Sequence, residues 1–181
     1  MKREQLPDLQ ISFPGAAQVL ALATRSRPVC TIASAESCTG GLLGAALTAV
    51  PGSSRAYLGG VVAYSNRAKV AELGVGATVL RSHGAVSHQV AQAMAEGARS
   101  RFGSVLGIGV TGVAGPQGSE SKPPGLIYLA VVGPQRAHGR RLSRDLGRQG
   151  NRGHAVEVAL ALLREALAEL TGAWPELFEG L

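Results

Sequence analysis

At 181 residues, with 45% hydrophobic and 17% charged side chains, the chain is long and apolar enough to bury one substantial core, which excludes a disordered polypeptide. The net charge is +6, and no run approaches the roughly 18 apolar residues that a membrane-spanning helix needs. Two cysteines, Cys30 and Cys38, make no disulfide framework, and four histidines show no paired spacing, so a disulfide scaffold and a zinc site are both excluded. The start, Met1-Lys2-Arg3-Glu4, lacks the apolar segment of a signal peptide. The expectation is a reduced, cytoplasmic protein that acts on a small molecule without metal or cofactor.

Residues 1–13 read as an arm, 14–172 as one domain and 173–181 as a tail. The spacing of Ala17, Leu20 and Ala21 predicts a helix from Pro14 to about Ser26. Val29–Ala33 is short and β-branched, a buried strand, and Thr39–Val50 reads as a helix stopped by Pro51-Gly52. Gly60–Tyr64 reads as a strand, followed by a short helix from Asn66 to Leu73 that ends at Gly74. Ser87 is placed to cap a helix over His88–Phe102. Ser104–Val110 is a strand that runs into a long Gly- and Pro-rich loop from Thr111 to Pro124, a length that points to function. Leu126–Val132 and Gly139–Leu146 predict a hairpin, and Asn151–Leu170 a last helix. Strands alternating with helices, plus one hairpin, give a three-layer α/β/α domain with a mixed, mainly parallel sheet.

The densest chemistry lies in residues 34–69. A strand ending near Ser34, then Glu36-Ser37-Cys38-Thr39-Gly40-Gly41, then a helix, offers backbone N–H groups to an anion at a helix start. Ser37 and Thr39 add hydroxyls, and Cys38 is a nucleophile candidate against the commoner reading of a small buried cysteine. A second turn carries Ser53-Ser54. Lys69 stands five residues after Tyr64, and a desolvated lysine activates a serine in Ser-Lys catalysis. Contact of Ser54 with Lys69 is the hypothesis; a solvated helix lysine is the plain alternative. Thr111-Gly112 ends a strand, where ligands gather in open α/β sheets. Lys122 either closes over such a pocket or faces water. Arg136, Arg140, Arg141, Arg144, Arg148 and Arg152 form a basic segment suited to phosphate or nucleic acid, or to a solvated hairpin edge.

Six ordered motifs then coincide: Ala35-Glu-Ser-Cys-Thr-Gly-Gly41, Val50-Pro-Gly-Ser-Ser54, Gly60-Val-Val-x-Tyr-Ser-Asn-x-x-Lys69, Gly84-Ala-Val-Ser87, Thr111-Gly-x-Ala-Gly-Pro116 and Lys122-Pro-x-Gly125. Over residues 15–170 the chain resembles the CinA carboxy-terminal domain, the nicotinamide-nucleotide amidase family, in its stand-alone form. The resemblance implies metal-independent hydrolysis of the carboxamide of nicotinamide mononucleotide to nicotinic acid mononucleotide and ammonia, in a homodimer. Carried onto this sequence, it gives Ser54 as preferred nucleophile, Lys69 as base, Tyr64 assisting and Ser37 as the other nucleophile candidate. Substrate contacts are expected from Glu36, Cys38, Thr39, Gly40, Gly41, Asn66, Thr111, Gly112, Gly115 and Arg148. The apolar stretch Trp174 to Phe178 is a candidate cover for a neighbouring subunit. Two departures stand out: Gln117 where the family commonly has aspartate, and altered residues around Arg148 and Arg152. A nucleotide-binding or DNA-linked accessory protein, and an inactive structural relative, are the alternatives; scarce aromatic residues count against single-strand binding.

Overall fold

The computed structural model describes residues 11–172; residues 1–10 of the arm and all of the tail, with Trp174 to Phe178, lie outside them. The chain order is α1 (Pro14–Arg25), β1 (Ile32–Glu36), α2 (Leu42–Thr48), a single 3-10 turn (Ser53–Arg55), β2 (Tyr57–Val62), α3 (Asn66–Leu73), α4 (Ala77–His83), α5 (His88–Phe102), β3 (Leu106–Gly112), β4 (Leu126–Val132), β5 (Ala137–Ser143) and α6 (Gly147–Thr171). The five strands form one sheet in the order β2-β1-β3-β4-β5. β1 pairs in parallel with both β2 and β3, while β4 is antiparallel to β3 and β5 to β4. Four strands therefore point the same way, and β4 alone of these five is reversed.

Side-chain alternation along β1 and β3 assigns the layers. Ile32, Leu106, Ile108 and Val110 face α1, α2 and α6, and with Ile127, Leu129, Val156, Leu160 and Leu163 build the larger core. Ala33 and Ala35 face the other way, onto Leu73 of α3 and Val90, Met94 and Ala98 of α5. No helix of the described residues is long and apolar enough to cross a membrane.

Glycine is required where α5 meets β3. A Cβ at Gly107 would lie 2.1 Å from the Ala95 carbonyl oxygen, and one at Gly109 2.1 Å from that of Ala91. The helix backbone thus rests directly on the strand. Gly109→Ala is expected to destabilise the domain by about 3 kcal/mol or more, because backbone rather than a flexible side chain must move; the thermal unfolding midpoint measures it.

Several expected boundaries are corrected: α2 spans Leu42–Thr48 rather than Thr39–Val50, β3 Leu106–Gly112 rather than Ser104–Val110, and β5 Ala137–Ser143 rather than Gly139–Leu146. β1 begins three residues later than expected and runs through Ser34 and Glu36, whose polar groups find partners described below. β2 spans Tyr57–Val62 instead of Gly60–Tyr64, and α6 begins at Gly147 rather than Asn151. α4 was not expected; it buries no residue, so it leaves no apolar periodicity to read. The Ser87 cap is as expected, its hydroxyl accepting from the Val90 N–H at 3.3 Å.

Candidate active site

The carboxyl ends of the three parallel strands β2, β1 and β3 sit side by side, and the chain leaves each through a different turn. Ser37, directly after β1, is held between its neighbours: its N–H donates to the Val110 carbonyl at 2.9 Å, while Ala63 N–H donates to the Glu36 carbonyl at 2.8 Å. From Ala63 the chain passes Tyr64 and enters α3, where the Ser65 hydroxyl caps the first turn by accepting from Ala68 N–H at 3.1 Å. One turn on, Lys69 points back. Its Nζ lies 3.1 Å from Ser37 Oγ and 3.1 Å from the Ala63 carbonyl oxygen.

Lys69 is 2% exposed and has no salt-bridge partner among the described residues. Burial disfavours its charged form, so its pKa is pushed below the usual 10.5, against a smaller opposing pull from Cys38 and Glu120. A neutral amine in this position donates one hydrogen to the Ala63 carbonyl and offers its lone pair to the Ser37 hydroxyl. That geometry is the one a general base needs toward a nucleophile.

The sequence reading preferred Ser54 as the partner of Lys69, and the structure does not bring them together. Ser54 is exposed in the 3-10 turn that precedes β2, whereas α3 follows β2. A six-residue strand spans about 20 Å, so the two lie beyond opposite ends of β2. Ser37 takes the place next to the lysine. The second-ranked serine is thus the paired one.

The loop between Ser37 and α2 also differs from expectation. Its N–H groups were read as an anion site, but an internal anion occupies them. The Glu36 carboxylate, 2% exposed, accepts from Gly41 and Leu43 N–H at 3.0 Å and from Gly44 N–H at 2.8 Å. Glu36 is therefore the cap of α2, set five to eight residues ahead of the groups it caps, and it does not line the cavity over Ser37. The hydrogen bond of Ser34 Oγ with Tyr57 OH, at 2.7 Å, backs this arrangement. Replacing Glu36 with Gln removes charge-assisted acceptance from three N–H groups and is expected to cost about 2–3 kcal/mol, read as a lowered unfolding midpoint.

Gly40 and Gly41 form the turn with left-handed φ of +62° and +91° and, like Thr39, do not line the cavity. Arg152 anchors the loop from outside, donating twice to the Thr39 carbonyl at 3.0 and 3.3 Å. The Cys38 and Thr39 N–H groups donate to no backbone carbonyl and no side-chain oxygen among the described residues. Cys38 itself is buried, and desolvation pushes its thiol up to about 12. It is protonated at neutral pH, and the thiolate needed for attack is absent.

A cavity of about 420 Å³ opens over Ser37 and Lys69. Of the expected residues, Cys38, Tyr64, Asn66, Thr111, Gly112, Gly115 and Arg148 line it too. Thr111 is 1% exposed and donates to the Ala85 carbonyl at 2.7 Å, which ties β3 to the turn before α5. Arg148 bridges the mouth, donating to the Gly115 carbonyl at 2.8 Å and to Tyr64 OH at 3.2 Å.

Sequence reasoning missed Glu120 and Asn151. Glu120 closes one wall, accepting from Ala85 N–H at 3.0 Å with Lys122 at 3.5 Å; it and Ser121 hold positive φ of 52° and 61°. Lys122 neither lines the cavity nor stands free in water, since it also donates to the His83 carbonyl at 3.3 Å. Asn151, 1% exposed, holds the loop to α6 through the Ala114 carbonyl at 2.9 Å, Leu146 N–H at 2.8 Å and Asp145 at 2.8 Å. Asn151 stands among polar residues and glycines, Arg148-Gln-Gly-Asn-Arg-Gly-His154, so no local pattern marked it.

The basic segment disperses. Arg140 pairs with Glu165, and Arg136 and His138 with Glu169 at 3.7 and 3.3 Å, all on α6. A second cavity of about 420 Å³ lies between that pair and the start of β3, and holds neither serine nor lysine. Two of the six arginines, Arg136 and Arg140, are thus paired with carboxylates of α6.

The comparison with known families decides the classification. The family profile described as CinA C-terminal domain matches residues 15–167. The chain belongs to the CinA C-terminal domain family. It is 50% identical over 143 residues to the CinA-like protein of Gemmatimonas aurantiaca, covering 78% of this chain and 33% of that protein. With the CinA-like protein of Synechococcus sp. (strain RCC307) it shares 55% identity over 137 residues, 74% of this chain and 33% of the relative. It thus spans about a third of the length of these curated CinA relatives. Among solved structures, competence/damage inducible protein CihA from Agrobacterium tumefaciens matches at 40% identity and a TM-score of 0.76, over 86% of this chain and 98% of that one. A CinA superfamily protein from Klebsiella pneumoniae matches at 34% identity and a TM-score of 0.78, over 86% and 94%. The mixed five-stranded α/β/α architecture is therefore the CinA one.

Proposed function

We propose that this chain hydrolyses the carboxamide of nicotinamide mononucleotide to nicotinic acid mononucleotide and ammonia, with Ser37 as nucleophile and Lys69 as base. The observation that carries the reading is the 3.1 Å contact between Ser37 Oγ and a buried lysine held free of any carboxylate. Lys69 Nζ takes the hydroxyl proton as Ser37 Oγ bonds to the amide carbon. The resulting oxyanion has the Cys38 and Thr39 N–H groups beside it. The C–N bond then breaks, the nitrogen leaving as ammonia with the proton returned by Lys69, and an ester to Ser37 remains. Water, deprotonated by the same amine, attacks that ester and releases the carboxylate. Tyr64, at the mouth, assists proton delivery; Asn66, Thr111, Gly112 and Gly115 contact the substrate.

Incubation of purified protein with nicotinamide mononucleotide, with ammonia and product acid measured together, tests the reading. Stoichiometric release of both supports it. Binding without release of either leaves an accessory or inactive relative as the better description.

A further inference from the structure

We infer that Glu36 is a positioning residue: its buried carboxylate holds the loop of residues 37–40 in the shape that presents Ser37 Oγ and the Cys38 and Thr39 N–H groups to the substrate amide; this rests on the proposed role of Ser37 as nucleophile. Glu36 does not line the cavity, so it acts through the loop and touches no reacting atom.

One residue ties down both ends of that loop. The Glu36 backbone is the last rung of β1, set between Val62 of β2 and Val110 of β3. Ser37 therefore leaves the sheet from a fixed point. The Glu36 side chain passes over the loop and accepts from Gly41, Leu43 and Gly44 N–H, which pins the start of α2 to the end of β1. Inside the loop, Gly40 N–H donates to the Ser37 carbonyl at 3.0 Å and Leu42 N–H to the Thr39 carbonyl at 3.3 Å. Both carbonyls are engaged, and the two N–H groups between them stay open.

Helix stability alone does not call for this arrangement. A cap ordinarily comes from the N-cap residue itself, yet here that residue is Gly41 and the acceptor is drawn from the strand. With seven residues, α2 is too short to hold its first turn unaided. A buried carboxylate is costly unless fully hydrogen-bonded, and one placed next to the nucleophile opposes the developing oxyanion. Both costs are accounted for if the carboxylate fixes the loop. Its two oxygens share three donors, so Gln sets an NH2 group against at least one N–H, while Asp keeps the charge but falls one methylene short.

The test reads Ser37 directly, through its labelling by an alkyl fluorophosphonate followed by intact mass. In that reaction Oγ bonds to phosphorus, fluoride leaves, and Lys69 takes the hydroxyl proton. Glu36→Gln should slow both labelling and kcat by at least about tenfold, as small misplacements of reacting groups do. KM for nicotinamide mononucleotide should stay within about threefold, and Glu36→Asp should fall between the two. Leu163→Ala, a core truncation roughly three turns beyond Arg152 on α6, is the destabilised control and should label at the unaltered rate. Thermal melts set an assay temperature at which each protein is folded. An unchanged labelling rate in both Glu36 variants, equal slowing in Leu163→Ala, or no labelling of Ser37 in the unaltered protein overturns the assignment. Ammonia release is scored separately. Labelling that depends on Glu36 without ammonia defeats the amidase reading and upholds this one; ammonia release with labelling indifferent to Glu36 does the reverse.

Discussion

Ser37→Ala is expected to lower kcat for amide hydrolysis by at least about 10³-fold, because removal of a nucleophile leaves only binding and oxyanion stabilisation to act. Ser54→Ala should stay within about twofold of the unaltered protein, as an exposed surface change far from the reacting atoms does. The pair is decisive because both serines lie in motifs of the same family and only one is within reach of a base. Ammonia release measured on the two purified variants, each with a thermal melt to confirm folding, gives the answer. Equal activity of the Ser37→Ala protein would remove the mechanism; loss of activity on Ser54→Ala would return it to the serine that the structure sets at the opposite end of β2.

Lys69→Met should reduce kcat by about 10²–10⁴-fold, the usual contribution of a positioned general base. The pH profile distinguishes a base from a packing residue. Burial lowers the Lys69 pKa below 10.5, and only the neutral amine accepts the serine proton. Activity should therefore rise with pH and level off above the lowered value, at a pH short of 10.5. Stability has its own signature. Between the folded pKa and 10.5 the unfolded chain binds more protons, so the native state gains stability as pH rises through that window. Below the folded pKa the ammonium is buried in full and the cost of burying it is greatest. Denaturant unfolding at several pH values should show native protein gaining on Lys69→Met as pH rises, and a gap independent of pH would contradict a buried, titrating lysine.

Much of the fold was legible because it depends on local patterns. The Ser87 cap, the α5 periodicity and the Gly74 stop each involve neighbours within a turn or two, and each is found where the sequence places it. Strand ends were less legible. The expectation for β1 stopped at Ala33 because Ser34 and Glu36 are polar, yet both are buried in the strand. Their burial is compensated by Tyr57 and by the α2 N–H groups, partners that lie 23 and five to eight residues away. Nothing in a local window reports such compensation.

The site divides in the same way. The sequence by itself determined the family, the layer architecture and the set of reactive groups, Ser37, Tyr64, Lys69, Thr111 and Arg148 among them, because motif spacing and strand-end positions are written along the chain. The tertiary structure decided which of these groups meet. Ser54 stands 15 positions before Lys69 and Ser37 stands 32 before it, yet parallel pairing of β1 with β2 brings the more distant serine to the lysine and leaves the nearer one at the amino end of β2. It also decided that Glu36, read as a ligand contact, fills the helix end intended for the ligand's phosphate. Both outcomes follow from one physical fact: a strand carries its two ends about 20 Å apart, so chemistry gathers at one end of the strands and not by closeness in sequence.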